Sequence, residues 1–257
     1  MNKRPFVAFQ MWEPSRKQLI KAHTFYVEQA KERLLTRFEN IEDEANKETD
    51  SWLRETSHLF DPDRHDPSDF YEQADDIGIE FYELLTELRD RTRLSVIAGM
   101  YHEWDKKLRD WLWREIRRWH LGDQLRRQIW SVDFISLMDF MVALGWDVTK
   151  TPYYQHLDAC RLIVNVYKHG EGKSFELLRQ RYPQYIENNF AGAANYGWTL
   201  SHADYTHLKA PDGSLDLFSQ AIIDFWNDVP ENVYASTIVD VPDWFERAYN
   251  KDRKTTT

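Results

Sequence analysis

The sequence predicts an all-α protein: an up-and-down helical bundle that carries a long N-terminal helical extension. Apolar residues recur at helical spacing along most of the chain. Only 9 Gly and 9 Pro occur in 257 residues, which favours long helices over a turn-rich all-β fold. The 11 Trp, 13 Tyr and 14 Phe residues supply the bulky side chains of a substantial buried core.

The first long helix is predicted over about residues 16 to 57. Residues 15–18, Ser-Arg-Lys-Gln, form a capping box that marks a helix start. Apolar residues then follow a heptad-like pattern through Ile20, Val27, Leu34 and Ile41, with a second series of Phe38, Ala45 and Trp52. Thr24 and Lys31 interrupt the other half of the pattern. A helix packed in an antiparallel hairpin is therefore predicted, rather than a free coiled-coil dimer.

A loop at 61–69 ends this helix, because two prolines and four aspartates fall there. Ser68 can cap the next helix, and its apolar spacing continues to Trp111. A break is predicted near 89–92, where apolar spacing lapses among charged residues. The sequence thus predicts an N-terminal extension over 1–91 and a helical domain over 92–257.

Helix signals continue through the second domain. A helix is predicted over about 124–144, closed by Gly145, and another from Thr151-Pro152 to His169, stopped by Gly170. A short helix begins near Ser174 and ends before Pro183, an ordered loop covers 186–213, and a last helix covers about 214–228. The polar tail from Lys251 is predicted to be frayed.

Bulk properties limit the function classes. The net charge of −10 argues against tight non-specific binding of nucleic acid by the whole surface. The single cysteine, Cys160, excludes an internal disulfide and a cysteine-based zinc site within one chain, and its apolar neighbours predict a buried hydrophobe. No apolar run is long enough to span a bilayer, and the first residues lack a signal-peptide core. A cytoplasmic protein without membrane contact is predicted.

The candidate chemical site is a polar stripe on an otherwise apolar helix. Arg161, Asn165 and His169 are spaced four residues apart and lie along one helical face. A histidine can exchange a proton with a 2′-hydroxyl or a leaving oxygen, and an arginine can hold a phosphate. These residue types point to cleavage of RNA without a metal.

A structural interpretation of the same stripe stays open. Arg161 could pair with a carboxylate such as Asp158, and Asn165 could bond a neighbouring helix end. His169 would then favour the negative C-terminal end of its own helix. The spacing alone does not decide between the two interpretations.

Residues 161–170, RLIVNVYKHG, resemble the signature helix of HEPN-domain proteins (higher eukaryotes and prokaryotes nucleotide-binding), and 93–112 resemble an earlier helix of that fold. The resemblance covers about residues 92–230. It implies a HEPN-like helical bundle and a metal-independent endoribonuclease of a toxin–antitoxin or antiphage defence system. It also implies a homodimer with a composite Arg–His site, an RNA substrate, and an antitoxin or defence protein as partner.

The chain departs from the family motif in three respects: the spacing, the apolar Leu162 directly after Arg161, and Gly170 after His169 where some relatives have a tyrosine. Seven residues separate Arg161 from His169, where the family has four to six. Lys168, next to the histidine, can therefore supply the cation instead. The predicted catalytic set is His169, Arg161, Asn165 and Lys168.

A basic segment at 106–127 is the second feature that points to RNA. Eight Lys and Arg residues face three acidic ones, a local charge of +5, and Trp111, Trp113 and Trp119 are interleaved. Cations hold phosphates while exposed aromatic rings stack on bases. The predicted RNA-binding residues are Arg109, Arg114, Arg117, Arg118, Arg126 and Arg127. An amphipathic helix with Trp inward and Arg outward explains the pattern equally well.

The sequence predicts neither a metal nor a cofactor. His102, Glu103 and Asp105 lack the spacing of a helical metal site, and no nucleotide-binding glycine motif follows a strand. The favoured hypothesis is the endoribonuclease. The alternative is a non-catalytic helical interaction protein that acts through its long helices, or an acidic antitoxin or immunity protein.

Overall fold

The computed structural model describes residues 6–187 and 200–255. Its helices and strands, in chain order, are β1 (Val7–Gln10), α1 (Glu13–Ala30), α2 (Ile41–Thr56), α3 (Pro67–Ile116), α4 (Asp123–Ser131), α5 (Phe134–Ala143), α6 (Tyr154–His169), α7 (Lys173–Arg181), α8 (Ser214–Asp228), β2 (Asn232–Tyr234) and α9 (Asp243–Thr255). The predicted all-α class is confirmed. Among the described helices none is both long and apolar enough to cross a bilayer.

The chain forms two compact units. One, here called the acidic unit, comprises 27–96, and the other, the main unit, comprises 1–26 and 97–257. The sequence predicted a division into 1–91 and 92–257 instead. Helices α1 and α3 each contribute residues to both units.

The core of the main unit is built around α6 and α8. The apolar face of α6 is fully buried and includes Cys160, as the sequence predicted. Burial raises the pKa of the Cys160 thiol well above its usual range. On α8, the ring of Phe225 lies 5.1 Å from Trp104 and 4.9 Å from Trp146, measured between ring centroids. Such tilted and edge-on contacts are the arrangements that aromatic rings prefer.

Two sets of contacts hold β1 and the first turn of α1 in the main unit. Strand β1 pairs antiparallel with β2, with Phe9 opposite Val233. The buried guanidinium of Arg16 donates hydrogen bonds to three carbonyls at the end of α8, among them Val229 at 2.7 Å. These contacts satisfy carbonyl groups that a helix end leaves unpaired. Four- and three-residue strands are too short to show in a sequence pattern, and the strands were not predicted.

The predicted single helix over 16–57 is wrong. Helix α1 ends at Ala30, a π-helical turn (Lys31–Leu35) and a 3₁₀ turn (Thr36–Phe38) follow, and α2 begins at Ile41. Asn40 leaves helical backbone geometry at φ −119° and ψ 34°. Leu34, a position of the predicted seam, is 48% exposed, so the heptad-like pattern is not a continuous buried seam.

Helix α3 runs for 50 residues without the break predicted at 89–92. The charged residues there pair along the helix: Arg91 lies 2.5 Å from Glu87, and Arg93 lies 3.3 Å from Asp90. Pairs three or four residues apart stabilise a helix. The charges that suggested a break therefore support the helix through it.

The predicted helix over 124–144 is also divided. Val132 is extended, and the Asp133 side chain caps α5 by accepting a hydrogen bond from the Ser136 N–H at 2.8 Å. Cap residues of this kind start a new helix. Residues 151–153 form a turn, so that α6 begins at Tyr154 rather than at Pro152.

Several predicted boundaries agree with the structure. Helix α6 ends at His169, and Gly170 follows with φ +70°, a conformation that glycine adopts readily. Helix α8 covers 214–228, as predicted. Part of the predicted loop over 186–213, residues 188–199, lies outside the described residues. The predicted frayed tail from Lys251 is wrong, because α9 extends to Thr255 and buries Asp252.

Candidate functional site

Helix α6 places the predicted site residues in two different environments. Its N-terminal half carries Arg161, whose side chain is only 13% exposed. Its last turn carries Lys168 and His169, both exposed, and Asn165 between them is half-buried. The stripe seen in the sequence is therefore not one uniform surface.

Arg161 is held inside a polar network. Its Nε and Nη2 donate to Asp158 Oδ1 at 3.1 and 2.5 Å, and its guanidinium lies over the Phe134 ring at 5.4 Å. The other oxygen of the buried Asp158 carboxylate accepts hydrogen bonds from Arg181 at 3.4 Å and from the Tyr182 hydroxyl at 3.1 Å. These contacts match the structural interpretation of Arg161, because they join α6 to α5 and to the end of α7.

The network also changes the acidity of Tyr182. Burial, and then the negative charge of Asp158, raise the pKa of Tyr182 to about 12. The hydroxyl therefore stays protonated at neutral pH and serves as a hydrogen-bond donor to the carboxylate. A buried carboxylate with an arginine, a second arginine and a hydroxyl around it is well compensated.

The charge of Lys168 acts on a second histidine, His102 of α3. Partial burial of His102, and then the positive charge of Lys168, lower the pKa of His102 below its usual 6.5. Asp105 and Glu103 oppose this shift, but they do not outweigh it. A histidine with a lowered pKa is neutral at pH 7 and can accept a proton.

The sequence singled out His102 only in the context of metal binding. No pattern along the chain joins residue 102 to residue 168, because their charge interaction depends on the tertiary fold. Of the described residues, no group of three or more His, Cys, Asp or Glu side chains is arranged to hold a metal ion.

A turn covers the end of α6. The Tyr205 ring lies 3.5 Å from the position that a Cβ on Gly170 would occupy, and Glu171 Oε1 accepts a hydrogen bond from the Tyr205 N–H at 2.9 Å. His207 and Asp204 cap this turn. The exposed edge around His169 therefore also carries a carboxylate and a phenol.

The predicted RNA-binding residues divide into three groups. Arg109 is buried, pairs with Asp105, and donates to the Ile129 and Val132 carbonyls at 2.6 and 2.9 Å. It caps the end of α4, and its burial does not fit the predicted contact with RNA. Arg114 and Arg118 are exposed; Arg114 pairs with Asp110 within α3, and Arg118, just after the end of α3, pairs with Glu115. Arg117, Arg126 and Arg127 are exposed.

Two of the three interleaved tryptophans, Trp111 and Trp119, point into the protein, whereas Trp113 is half-buried beneath Arg126. The indole N–H groups of Trp111 and Trp119 donate to the Gln10 and Ala8 carbonyls at 3.2 and 2.9 Å. This is the amphipathic arrangement that the sequence left open. An exposed aromatic ring of the basic surface is Trp130, 45% exposed, which lines a shallow depression with Asp123, Arg126 and Arg127.

The chain matches no protein-family model and no curated protein, and its fold matches no solved structure. The resemblance of residues 161–170 to the HEPN signature helix therefore stays a prediction.

Proposed function

We propose that the protein is a metal-independent endoribonuclease whose catalytic groups are His102, Lys168 and His169. One observation carries the proposal: His169 and Lys168 are exposed at the end of α6, where the charge of Lys168 reaches His102 and lowers the pKa of that histidine. Two imidazoles and an ammonium group are sufficient for cleaving RNA by acid–base chemistry.

The proposed reaction is an internal transesterification. Neutral His102 accepts the proton of a ribose 2′-hydroxyl, and the oxygen attacks the adjacent phosphorus. The bond from phosphorus to the 5′-oxygen breaks, and protonated His169 gives its proton to that leaving oxygen. Lys168 holds the phosphate oxygens, where negative charge increases during the attack. The products are a 2′,3′-cyclic phosphate and a 5′-hydroxyl end.

Other predicted residues take secondary roles in this proposal. Arg161 is a positioning residue, because it anchors α6 through Asp158 rather than facing solvent. The amide of Asn165, half-buried one turn before His169, can donate a hydrogen bond to the substrate. Arg117, Arg126 and Arg127 supply exposed positive charge for the RNA backbone. The resemblance to HEPN proteins adds a homodimer and a defence or toxin–antitoxin context to the proposal.

The test is incubation of the purified protein with single-stranded and hairpin RNA in EDTA. We expect the wild type to leave 2′,3′-cyclic phosphate ends, and His169→Ala and His102→Ala each to lose at least about 100-fold in rate. His58→Ala is the matched control, since His58 is exposed but belongs to the acidic unit. Equal cleavage by wild type and His169→Ala would show that a contaminant or another site is responsible. No cleavage by folded wild type would reject the proposal.

A second candidate function is partner binding through the acidic unit. Residues 27–96 contain 20 Asp and Glu against 9 Lys and Arg, a net charge of −11, whereas the whole chain carries −10. Large apolar side chains are exposed on the same 70 residues, namely Leu34, Leu59, Tyr71, Ile79, Tyr82, Leu84 and Leu88. Exposed apolar side chains within a strongly charged surface favour a binding role.

The acidic unit offers a groove between α2 and α3 for such a partner. Ile79 and Tyr82 contribute apolar surface, and Glu42, Asp75 and Glu83 contribute negative charge. Gly78 permits close approach of the helices, because a Cβ there would lie 2.1 Å from Thr49 Oγ1. The groove therefore favours a basic amphipathic helix over a neutral or acidic one.

A helical peptide of leucine and lysine tests this candidate, with a leucine–glutamate peptide as control. We expect binding of the basic peptide that weakens with salt and is lost in Ile79→Ser/Tyr82→Ser. Leu59→Ser is the matched control, because Leu59 is exposed on the same unit but does not line the groove. If Ile79→Ser/Tyr82→Ser and Leu59→Ser bind the basic peptide equally well, the groove is not its binding site.

A further inference from the structure

An apolar pocket opens in the main unit, on the side formed by β1, α5, α9 and the segment after β2. Its volume is about 400 Å³, which lies in the range of small-molecule sites. Its apolar lining includes Phe9, Trp119, Phe140, Phe245 and Tyr249. Neither His102, Lys168 nor His169 lines it, so that any ligand here is separate from the proposed ribonuclease site.

The aromatic walls of the pocket are fixed by their own packing. The Phe140 ring stacks on Phe245 at 4.7 Å and meets Phe9 edge-on at 5.9 Å. Tyr249 lies parallel to Phe245 at 6.4 Å, and the Trp119 indole N–H is held by the Ala8 carbonyl. A preformed apolar cavity loses little conformational entropy when a ligand enters.

The charged side chains among the described lining residues are negative. Asp240 and Glu246 line the pocket, both are exposed, and neither Lys, Arg nor His occurs among the described lining residues. Arg253, which is outside the lining, places its guanidinium 6.0 Å from the Tyr249 ring centroid. Carboxylates beside aromatic faces attract an organic cation, since both the charge and the rings favour it.

The backbone places Asp240 at this position with a left-handed conformation, φ +46°, the one non-glycine residue of the described chain with a positive φ. Such a conformation costs free energy for a residue with a side chain, although aspartate tolerates it better than most. The neighbouring Val239 N–H donates to the Ala143 carbonyl at 3.2 Å, which fixes the segment to the end of α5. The carboxylate is thus presented by an anchored turn rather than by a free loop.

We propose that this pocket binds a small amphiphilic amine. Its apolar chain or ring lies against Phe9, Phe140 and Phe245. Its ammonium group lies beside Asp240 and Glu246, at the exposed side of the pocket. The same carboxylates reject fatty acids and other amphiphilic anions of equal length.

The test uses three probes of one chain length at pH 7: n-octylammonium, 1-octanol and octanoate, titrated into the full-length protein below their aggregation concentrations. Intrinsic tryptophan fluorescence and calorimetry report binding. We expect n-octylammonium to bind about tenfold more tightly than octanol, and octanoate more weakly than both. Equal affinity for the three probes, or no saturable binding of n-octylammonium, would overturn the proposal.

Two variants separate charge selection from simple apolar binding. Asp240→Asn/Glu246→Gln removes both charges and keeps a residue that tolerates positive φ, so the preference for n-octylammonium over octanol should disappear while octanol binding stays. Asp243→Asn is the matched control, because Asp243 is an exposed carboxylate of α9 outside the pocket lining. A preference that survives in the double variant, or disappears in the control, contradicts the assignment of Asp240 and Glu246.

Discussion

The carboxylate of Asp252 accepts a hydrogen bond from the backbone N–H of Leu125 at 3.0 Å, across 127 residues of sequence. It also accepts from the Gln124 N–H at 2.9 Å and contacts His120 Nε2 at 3.1 Å. Burial alone would raise the pKa of Asp252, but the bonds from Leu125 and Gln124 outweigh it, so the pKa is lowered. The last helix thereby caps the first turn of α4.

Asp252→Ala should lower the free energy of unfolding by about 1–3 kcal/mol, because two backbone donors lose their acceptor. A lowered folded-state pKa stabilises the fold above the unfolded pKa, and that stability is lost as the pH falls through the folded value. The urea midpoint of wild type should therefore fall more steeply on acidification than that of Asp252→Ala. Asp243→Ala, on the exposed side of α9, should behave as wild type; equal loss in both variants would contradict the capping role.

Gly122→Ala should also destabilise the protein, for a steric reason. A Cβ at Gly122 would lie 2.0 Å from Asp252 Oδ2 and 2.5 Å from His120 Nε2. The two effects share one partner, so the double variant Gly122→Ala/Asp252→Ala should lose less stability than the sum of the single variants. Additive losses, measured by urea unfolding, would mean that the carboxylate does not occupy the place described.

Arg161→Gln should destabilise the fold by about 3 kcal/mol, because the Asp158 carboxylate stays buried without its main partner. His169→Ala and Lys168→Ala change exposed side chains and should leave the unfolding midpoint unchanged. Thermal unfolding of the three variants separates an anchoring arginine from a catalytic one. A fully stable Arg161→Gln protein that loses ribonuclease activity would return Arg161 to the catalytic set.

Lys168→Gln should raise the pKa of His102 toward 6.5, because it removes a positive charge that lowers that pKa. The shift is measurable by NMR titration of the His102 ring proton, whether or not the protein cleaves RNA. Lys150→Gln is the control, because Lys150 is an exposed lysine that pairs with Asp147 and lies on neither α3 nor α6. An unchanged His102 pKa in Lys168→Gln would show that the two side chains do not face each other.

Local signals predicted much of the main unit. The α8 boundaries follow from its apolar spacing, and the end of α6 follows from Gly170 with its positive φ. A single sequence does not show which distant segments contact each other in the fold. The strands β1 and β2 are short, and α9 is largely polar although Phe245, Ala248 and Asp252 are buried against other elements.

The candidate site was only half predictable for the same reason. Helical spacing placed Arg161 and His169 on one face. The spacing does not show that Arg161 is largely buried beside Asp158 whereas His169 is exposed. Counting charges likewise assigned Arg109 to a basic surface, although Arg109 is buried and donates to a carbonyl at the end of α4. The effect of Lys168 on the pKa of His102 depends on the tertiary fold, which no local pattern contains.

The buried position of Cys160 makes the protein its own reporter of local unfolding. A thiol reagent can modify this single, fully buried cysteine only after α6 separates from its neighbours. Each modified molecule therefore records one opening event of the helix that ends in His169. The modification rate measures how often that helix leaves its native place, without any added probe or engineered residue.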